Sequence, residues 1–227
     1  MIALTSKDPA KLAVDALVVA TVSHDGTAVP LGVDDWLPSE LRTALVRDAA
    51  TLGLTGKADE VRRVPATGIK AKVLVLVGIG TAALTAETLR RAAGAATREL
   101  AGVGSVALAL PARDAASAVA VAEGALLGAY TYARYRATGV PAPVTSIEVV
   151  TPRAKDAAAT RGLARAEVLA AAVHATRDLV NAAPNHLYPE AFVDAARLAA
   201  KGVRGVRLTV LDEKALAAGG YGGLVGV

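Results

Sequence analysis

Five consecutive branched aliphatic residues, Val73-Leu74-Val75-Leu76-Val77, constrain this chain more than any other stretch. The run is too short for a buried helix and too apolar for a strand with one wet face. It predicts a strand covered on both sides, as in a parallel or mixed sheet. The flanking sequence supplies the cover. Ala16–Thr21, entered from Asp15, reads as a second buried strand, as do Ser105–Leu110 and Ile147–Val150, the last ended by Thr151-Pro152. Val61–Val64 reads as a short strand closed by Pro65. Between them lie helical patterns. Pro38 is placed at a first helical position, with Leu41, Leu45 and Leu52 on one face. Thr85 caps a helix carrying Leu89, Ala93, Ala96 and Leu100, and Asp114 opens one carrying Val119, Ala122, Leu126 and Tyr130. Alternating strands and helices predict an α/β domain with helices on both faces of its sheet.

Past residue 150 the pattern changes. An Ala-rich helix from about Ala154 to Val180, with Leu163, Ala166, Leu169 and Val173 as its stripe, is long enough to join two bodies. Asn181-Ala-Ala-Pro184 breaks it, and Tyr188-Pro189-Glu190 starts another helix that reaches Lys201-Gly202. Val206–Leu211 is expected as a strand, and Asp212 as the cap of a short helix stopping at Gly219-Gly220. The glycine-rich ending Tyr221–Val227 is expected to lead into a strand. One strand and two helices enclose no core of their own, so the sequence predicts a second domain cut off soon after it begins.

Composition removes several function classes. The chain has no cysteine, which excludes disulfides, thiolate zinc sites and a cysteine nucleophile. Lys7, Asp8, Lys11 and Asp15 interrupt the first apolar stretch, so no secretory signal is read there. The most apolar window, Val73–Ala86, is shorter than the roughly 20 residues a membrane helix needs. A soluble, cytoplasmic protein is expected. The net charge of +4 is dispersed, with only short pairs such as Arg62-Arg63 and Arg90-Arg91. A nucleic-acid surface gathers its basic residues instead, and a solvated surface is the reading preferred here.

The candidate chemistry is sparse. Gly78-Ile-Gly80 follows the best strand and precedes a helix, where a dinucleotide-binding turn would lie. Ala83 stands where that fingerprint has its third glycine. Glu99, near the spacing of the expected acidic residue, lies in a helix and not at a strand end. A structural turn is the preferred reading. His24 belongs to a His-Asp-Gly turn, His174 to the long helix and His186 to a loop, with no pairing that makes a metal site or a triad. The acidic pairs Asp34-Asp35, Asp59-Glu60 and Asp212-Glu213 are adjacent in sequence and point apart, so they are not paired catalytic carboxylates.

The segment Thr176-Arg-Asp-Leu-Val-Asn-Ala-Ala-Pro-Asn-His-Leu-Tyr-Pro-Glu190 resembles the opening of the catalytic domain in the leucine aminopeptidase family of metallopeptidases, which reads R-D-L-x-N-x-P-x-N there. Val210–Gly226 is similar to the next family segment. Val77-Gly-Ile-Gly80, Leu89-Arg-Arg-Ala-Ala-Gly94, Glu123-Gly-Ala-Leu-Leu-Gly-Ala-Tyr130 and Tyr135 fit the family's less regular N-terminal domain. The resemblance implies a macro-domain-like mixed sheet with helices on both faces in residues 1–152. A connector helix would follow in 153–181, and the start of a second, catalytic α/β domain in 182–227. It also implies a parent enzyme that removes N-terminal residues from peptides with two divalent metal ions, manganese or zinc, and assembles as a homo-hexamer. The family's lysine-and-aspartate metal segment, its Asn-Thr-Asp-Ala-Glu-Gly-Arg run and its catalytic arginine do not occur in this sequence. No catalytic, cofactor-binding or metal residue is therefore assigned, no metal is expected on this chain, and it is expected to be inactive alone. Two alternatives stand beside this reading: a macro-like module binding a nucleotide such as ADP-ribose, and a DNA-binding accessory domain.

Overall fold

The computed structural model describes residues 1–81, 83–136 and 138–226, and Val227, the last residue of the glycine-rich ending, lies outside them. The chain divides into two compact units, Met1–Ala175 and Thr176–Val227. The strands are β1 (Ile2–Thr5), β2 (Ala16–His24), β3 (Thr27–Leu31), β4 (Val61–Pro65), β5 (Val73–Gly78), β6 (Ser105–Ala109) and β7 (Ser146–Val150). The helices are α1 (Ser39–Asp48), α2 (Ala86–Glu99), α3 (Ala115–Gly128), α4 (Ala157–Asn181), α5 (Pro189–Ala200), α6 (Glu213–Ala218) and α7 (Gly222–Val225).

One mixed sheet organises the first unit, in the order β1-β7-β6-β2-β5-β4 with β3 beside β2. The strands from β1 to β5 in that row run parallel; β4 and β3 pair antiparallel. Strand β2 is long enough to serve two neighbours on one edge. Ala16–Val19 pair with β6, and Ala20–His24 pair with β3. The β2–β3 turn is the expected Asp25-Gly26. Both residues have positive φ, 48° and 76°, as a tight hairpin turn matched to strand twist requires.

The period of two along the strands divides the core. Val18, Ala20, Val75, Val77, Val106 and Leu108 face the layer of α2 and α3, where Leu89, Ala93, Ala96, Val121 and Ala125 are buried. Leu17, Val19, Leu74, Leu76, Ala107 and Ala109 face the other way, onto Leu41 and Leu45 of α1 and its C-cap Ala49. Val73–Val77 is thus covered on both faces, as its composition demands.

Helices α2 and α3 meet at unusually close range because small residues line their crossing. A Cβ on Gly124 would lie 2.0 Å from the Arg90 carbonyl oxygen, and one on Gly128 would lie 2.3 Å from that of Gly94. The buried Thr97 hydroxyl sits 3.0 Å from the Ala93 carbonyl of its own helix and 3.0 Å from the Ala125 carbonyl across the gap. Outside α3, Gly162 of α4 accommodates the Val119 side chain.

Several sequence expectations shift. Pro38 is the N-cap of α1 and not its first helical residue, and Leu52 lies beyond the helix, exposed. The buried face of α3 is Ala118, Ala120, Val121, Ala122 and Ala125; of the expected stripe Ala122 is buried and Leu126 packs partly buried against the core, while Val119 and Tyr130 are only half-buried, because close packing on α2 selects small residues over large ones. The buried positions of α4 are Ala159, Ala166 and Ala170, with Leu163 against the core. The helix starts at Ala157, after Asp156 accepts hydrogen bonds from the Ala158 and Ala159 amides. Strands β1 and β3 escaped the sequence reading.

In the second unit, Tyr188 caps α5 with Pro189 at its first position, and the Asp212 carboxylate accepts from the Ala215 amide at 2.8 Å to cap α6. Helices α5, α6 and α7 bury none of their residues. Val206–Leu211 is not a strand: it is exposed and belongs to no ladder among the described residues. The glycine run forms the short turn of α7 in place of a strand. Phe192, Leu198, Val206, Leu208 and Leu224 are all exposed, so this unit has no apolar core of its own.

Candidate functional site

The Gly78-Ile-Gly80 turn sits at the carboxyl end of β5, the correct end of a parallel strand for ligand binding. A phosphate cradle needs free backbone N–H groups, and these three are spent. Gly78 donates to the Glu60 carbonyl at 2.8 Å, Ile79 to that of Thr21 at 2.9 Å, and Gly80 to that of Gly56 at 2.9 Å. The Glu60 carboxylate also accepts from the Thr55 and Gly56 amides at 2.9 and 2.7 Å, pinning the loop that presses on the turn. Gly78 is required by space: a Cβ there would lie 1.9 Å from the Lys57 carbonyl oxygen. The turn is structural.

The histidines are scattered. His24 lies exposed at the hairpin beside Asp25, the His174 ring packs 5.1 Å from that of Tyr130, and His186 lies in the loop before α5. The acidic pairs separate as adjacent residues do. Asp34 pairs with Arg42 and Asp59 with Arg91, Glu60 turns inward on its loop, and Asp212 caps α6. Among the described residues no three His, Asp or Glu side chains gather where they could hold a metal ion. The donor set of the described residues therefore does not fit a metal pair.

The most strongly perturbed carboxylate is Asp15. Its Oδ1 lies 2.6 Å from Lys72 Nζ, while the Ser105 amide and hydroxyl donate to its Oδ2 at 2.9 and 2.8 Å. The Asp15 amide in turn donates to Ser105 Oγ at 2.9 Å. The Lys72 bond, then the Ser105 bonds, hold the carboxyl down from 3.8 to about 2. This clasp ties the amino ends of β2 and β6, the opposite end from a ligand crevice, and is a fastening. Because the folded-state pKa is depressed, its contribution to stability is complete above pH 3.8 and is lost as pH falls through about 2. The urea midpoint of Asp15→Asn is expected to lie below that of the parent chain above pH 3.8, and the two should converge at about pH 2. A gap that stays constant with pH would refute the clasp.

At the carboxyl ends of β1, β6 and β7 a groove of about 630 Å³ opens. Lys7, Asp8, Asp35, Trp36 and Arg113 line it together with Leu110, Pro111 and Val150. The Trp36 indole, half-buried, donates to the Gly32 carbonyl at 3.2 Å, which fixes its ring against the groove. Sequence reasoning missed this group. Its members come from three separate stretches of the chain, around Lys7, Asp35-Trp36 and Arg113, and no local pattern joins them.

Residues 18–139 match the model of the cytosol aminopeptidase family, N-terminal domain. Among curated proteins, a probable cytosol aminopeptidase of Micrococcus luteus is 44% identical, covering 99% of this chain and 45% of that protein. One from Streptomyces avermitilis is 42% identical, covering 91% and 41%. The chain spans less than half the length of these relatives. Among solved structures, the bottromycin maturation enzyme BotP is 30% identical with a TM-score of 0.62, over 93% of this chain and 42% of that one. A mutant of tomato leucine aminopeptidase reaches a TM-score of 0.78 at 21% identity, over 96% and 45%, and so speaks for the fold alone. Among the described residues no helix is long and apolar enough to cross a membrane. With its α/β unit matched over most of its strands and helices, this chain belongs to the cytosol aminopeptidase family, in that family's N-terminal domain.

Proposed function

We propose that this chain is the non-catalytic amino-terminal part of a dimetal leucyl aminopeptidase, cytoplasmic and hexameric, which removes N-terminal residues from peptides. Its role is to support and assemble the catalytic domain. Residues 1–152 form the macro-like domain, 153–181 the connector and 182–227 the beginning of the peptidase domain. The match of residues 18–139 to the family's N-terminal domain carries the reading. The unburied apolar side chains of α5 and of 206–211 support it, since they are placed to be covered by a larger body. The two metal ions, manganese or zinc, and the groups that polarise the peptide carbonyl belong to that larger body.

The experiment is a leucine-amide hydrolysis assay with added manganese or zinc, run on purified 1–227 and on the natural gene product of the source cells. No turnover by 1–227 is expected, alongside metal-dependent turnover by a natural product heavier than 22.8 kDa. Metal-dependent hydrolysis by 1–227, or a natural product of 22.8 kDa, overturns the reading.

A further inference from the structure

The turn between β2 and β3 has no part in the support role, yet it assembles the parts of a reaction of the chain with itself. Asp25 is the only aspartate of the chain that is followed by glycine. A backbone amide nitrogen can attack the side-chain carboxyl carbon of the aspartate before it and close a succinimide ring. The attack needs an amide that is not committed elsewhere, a nitrogen that no side chain crowds, and a carboxyl that nothing holds away.

All three are present at the hairpin tip. The ladder of β2 and β3 ends at the pair His24 and Thr27, and beyond it the Gly26 amide donates no hydrogen bond among the described residues. Gly26 has no Cβ, and the space where one would stand holds no atom within 4 Å. The Asp25 side chain is 96% exposed, and its one charged neighbour is His24, with Nδ1 at 3.7 Å from Oδ2, too long for a hydrogen bond. The φ of 48° at Asp25 lies in the left-handed region that side chains rarely favour. Leaving it to close the ring gives up little, and the end of a hairpin is where a sheet opens first.

Asp59 shows what the same backbone does when those parts are missing. Its φ is also left-handed, at 65°. The next amide, that of Glu60, is spent on the Lys57 carbonyl at 3.1 Å, and the Asp59 carboxylate is held by Arg91 at 2.5 Å.

We propose that Asp25-Gly26 is a modification site, at which the aspartate isomerises spontaneously to isoaspartate. The Gly26 nitrogen bonds to Cγ of the protonated Asp25 carboxyl, and the amide proton leaves with the carboxyl hydroxyl as water. Water then adds to the succinimide. Opening at Cγ restores aspartate, and opening at the Asp25 main-chain carbonyl leaves Gly26 joined through Cγ. One water leaves and one returns, so the mass is unchanged and no oxidant or cofactor takes part. The product carries one more backbone carbon through a turn built for two residues, so the pair His24 and Thr27 loses its register and β3 loosens from β2. This chemistry is independent of the peptidase reading.

The test incubates chain 1–227 at neutral pH and body temperature and follows the tryptic peptide Leu12–Arg42 by liquid chromatography and mass spectrometry. A second form of unchanged mass is expected to accumulate, with fragmentation placing the isoaspartyl bond at residue 25, while the peptide holding Asp59 stays single. An isoaspartyl methyltransferase with S-adenosylmethionine should label the same fraction. Gly26→Ala should slow the conversion roughly tenfold, because its methyl crowds the attacking nitrogen. Asp25→Asn should convert faster than the parent, losing ammonia in place of water, because an amide does not ionise and an aspartate must first be protonated. Both positions are exposed, and each variant is compared after its circular dichroism spectrum matches that of the parent. No isoaspartate at residue 25 overturns the proposal, as does isoaspartate that forms only in urea-unfolded chain. Equal conversion at Asp59, or a rate indifferent to Gly26→Ala in a folded variant, overturns it too.

Discussion

Gly124→Ala is expected to destabilise the α/β unit even though alanine is the better helix former. Propensity alone would favour the variant by about 1 kcal/mol. Against that stands the crossing of α2 and α3, where the new Cβ would lie 2.0 Å from the Arg90 carbonyl oxygen. The obstacle is backbone, held within a regular helix, so relief requires the two helices to part. Parting them would stretch the contact of the Thr97 hydroxyl with Ala125 and loosen buried neighbours such as Ala93 and Val121. Overpacking of this kind costs about 1–3 kcal/mol, and Gly124→Val should reach or exceed the upper end. The check is a urea midpoint that falls without a change of slope. Gly162→Ala is the control: its Cβ would meet a Val119 methyl at 2.2 Å, an obstacle of side chain and not of backbone, and its loss should be smaller. A midpoint raised by Gly124→Ala would show that the crossing yields easily.

Gly78→Ala is expected to be at least as damaging, for a different local reason. Gly78 does not have positive φ, so no backbone strain is at issue; the objection is space alone. Its Cβ would lie 1.9 Å from the Lys57 carbonyl oxygen. Two backbone bonds prevent a sidestep, from Gly78 to the Glu60 carbonyl at 2.8 Å and from Asp59 to the Gly78 carbonyl at 3.0 Å. A loss of about 3 kcal/mol or more is expected, a large share of a typical domain's stability. Gly80→Ala separates the two causes. There the φ of 75° is unfavourable, but the nearest atom stands at 3.4 Å, so a loss of about 1–2 kcal/mol is expected. Equal losses at both positions would mean that conformation, not contact, governs the turn.

Strands β2, β5 and β6 were legible because each is an apolar run whose two faces are buried over most of its length, and β7 because its branched residues Ile147, Val149 and Val150 stop at Thr151-Pro152. β4 was legible because Pro65 closes it. The caps Thr85, Asp114 and Asp212 were legible because capping is local chemistry: each side chain accepts from an amide three residues on. What escaped depends on distant partners. β1 is four residues whose register is set by β7, and β3 contains Pro30, which argues against a strand unless it lies at an edge. Val206–Leu211 erred in the opposite direction: its composition suits a strand, but among the described residues no neighbour pairs with it. At the site level, Gly78, Ile79 and Gly80 each donate to a backbone carbonyl, which the glycine spacing alone does not reveal. The groove of Lys7, Asp35, Trp36 and Arg113 was invisible because only folding brings those residues together.

The place of β1 bears on how the protein is made. Ile2 pairs with Ile147, so β1 can join the sheet only after β7 has been made. At about 5–20 residues per second, synthesis of the intervening chain takes roughly 7–30 s. During that interval β2, β5 and β6 can assemble while the edge of β7's future place stands open. Strand β1 thus closes a sheet that the rest of the unit has already built, and any delay in elongation before residue 150 prolongs the time that edge is free to pair with a neighbouring nascent chain.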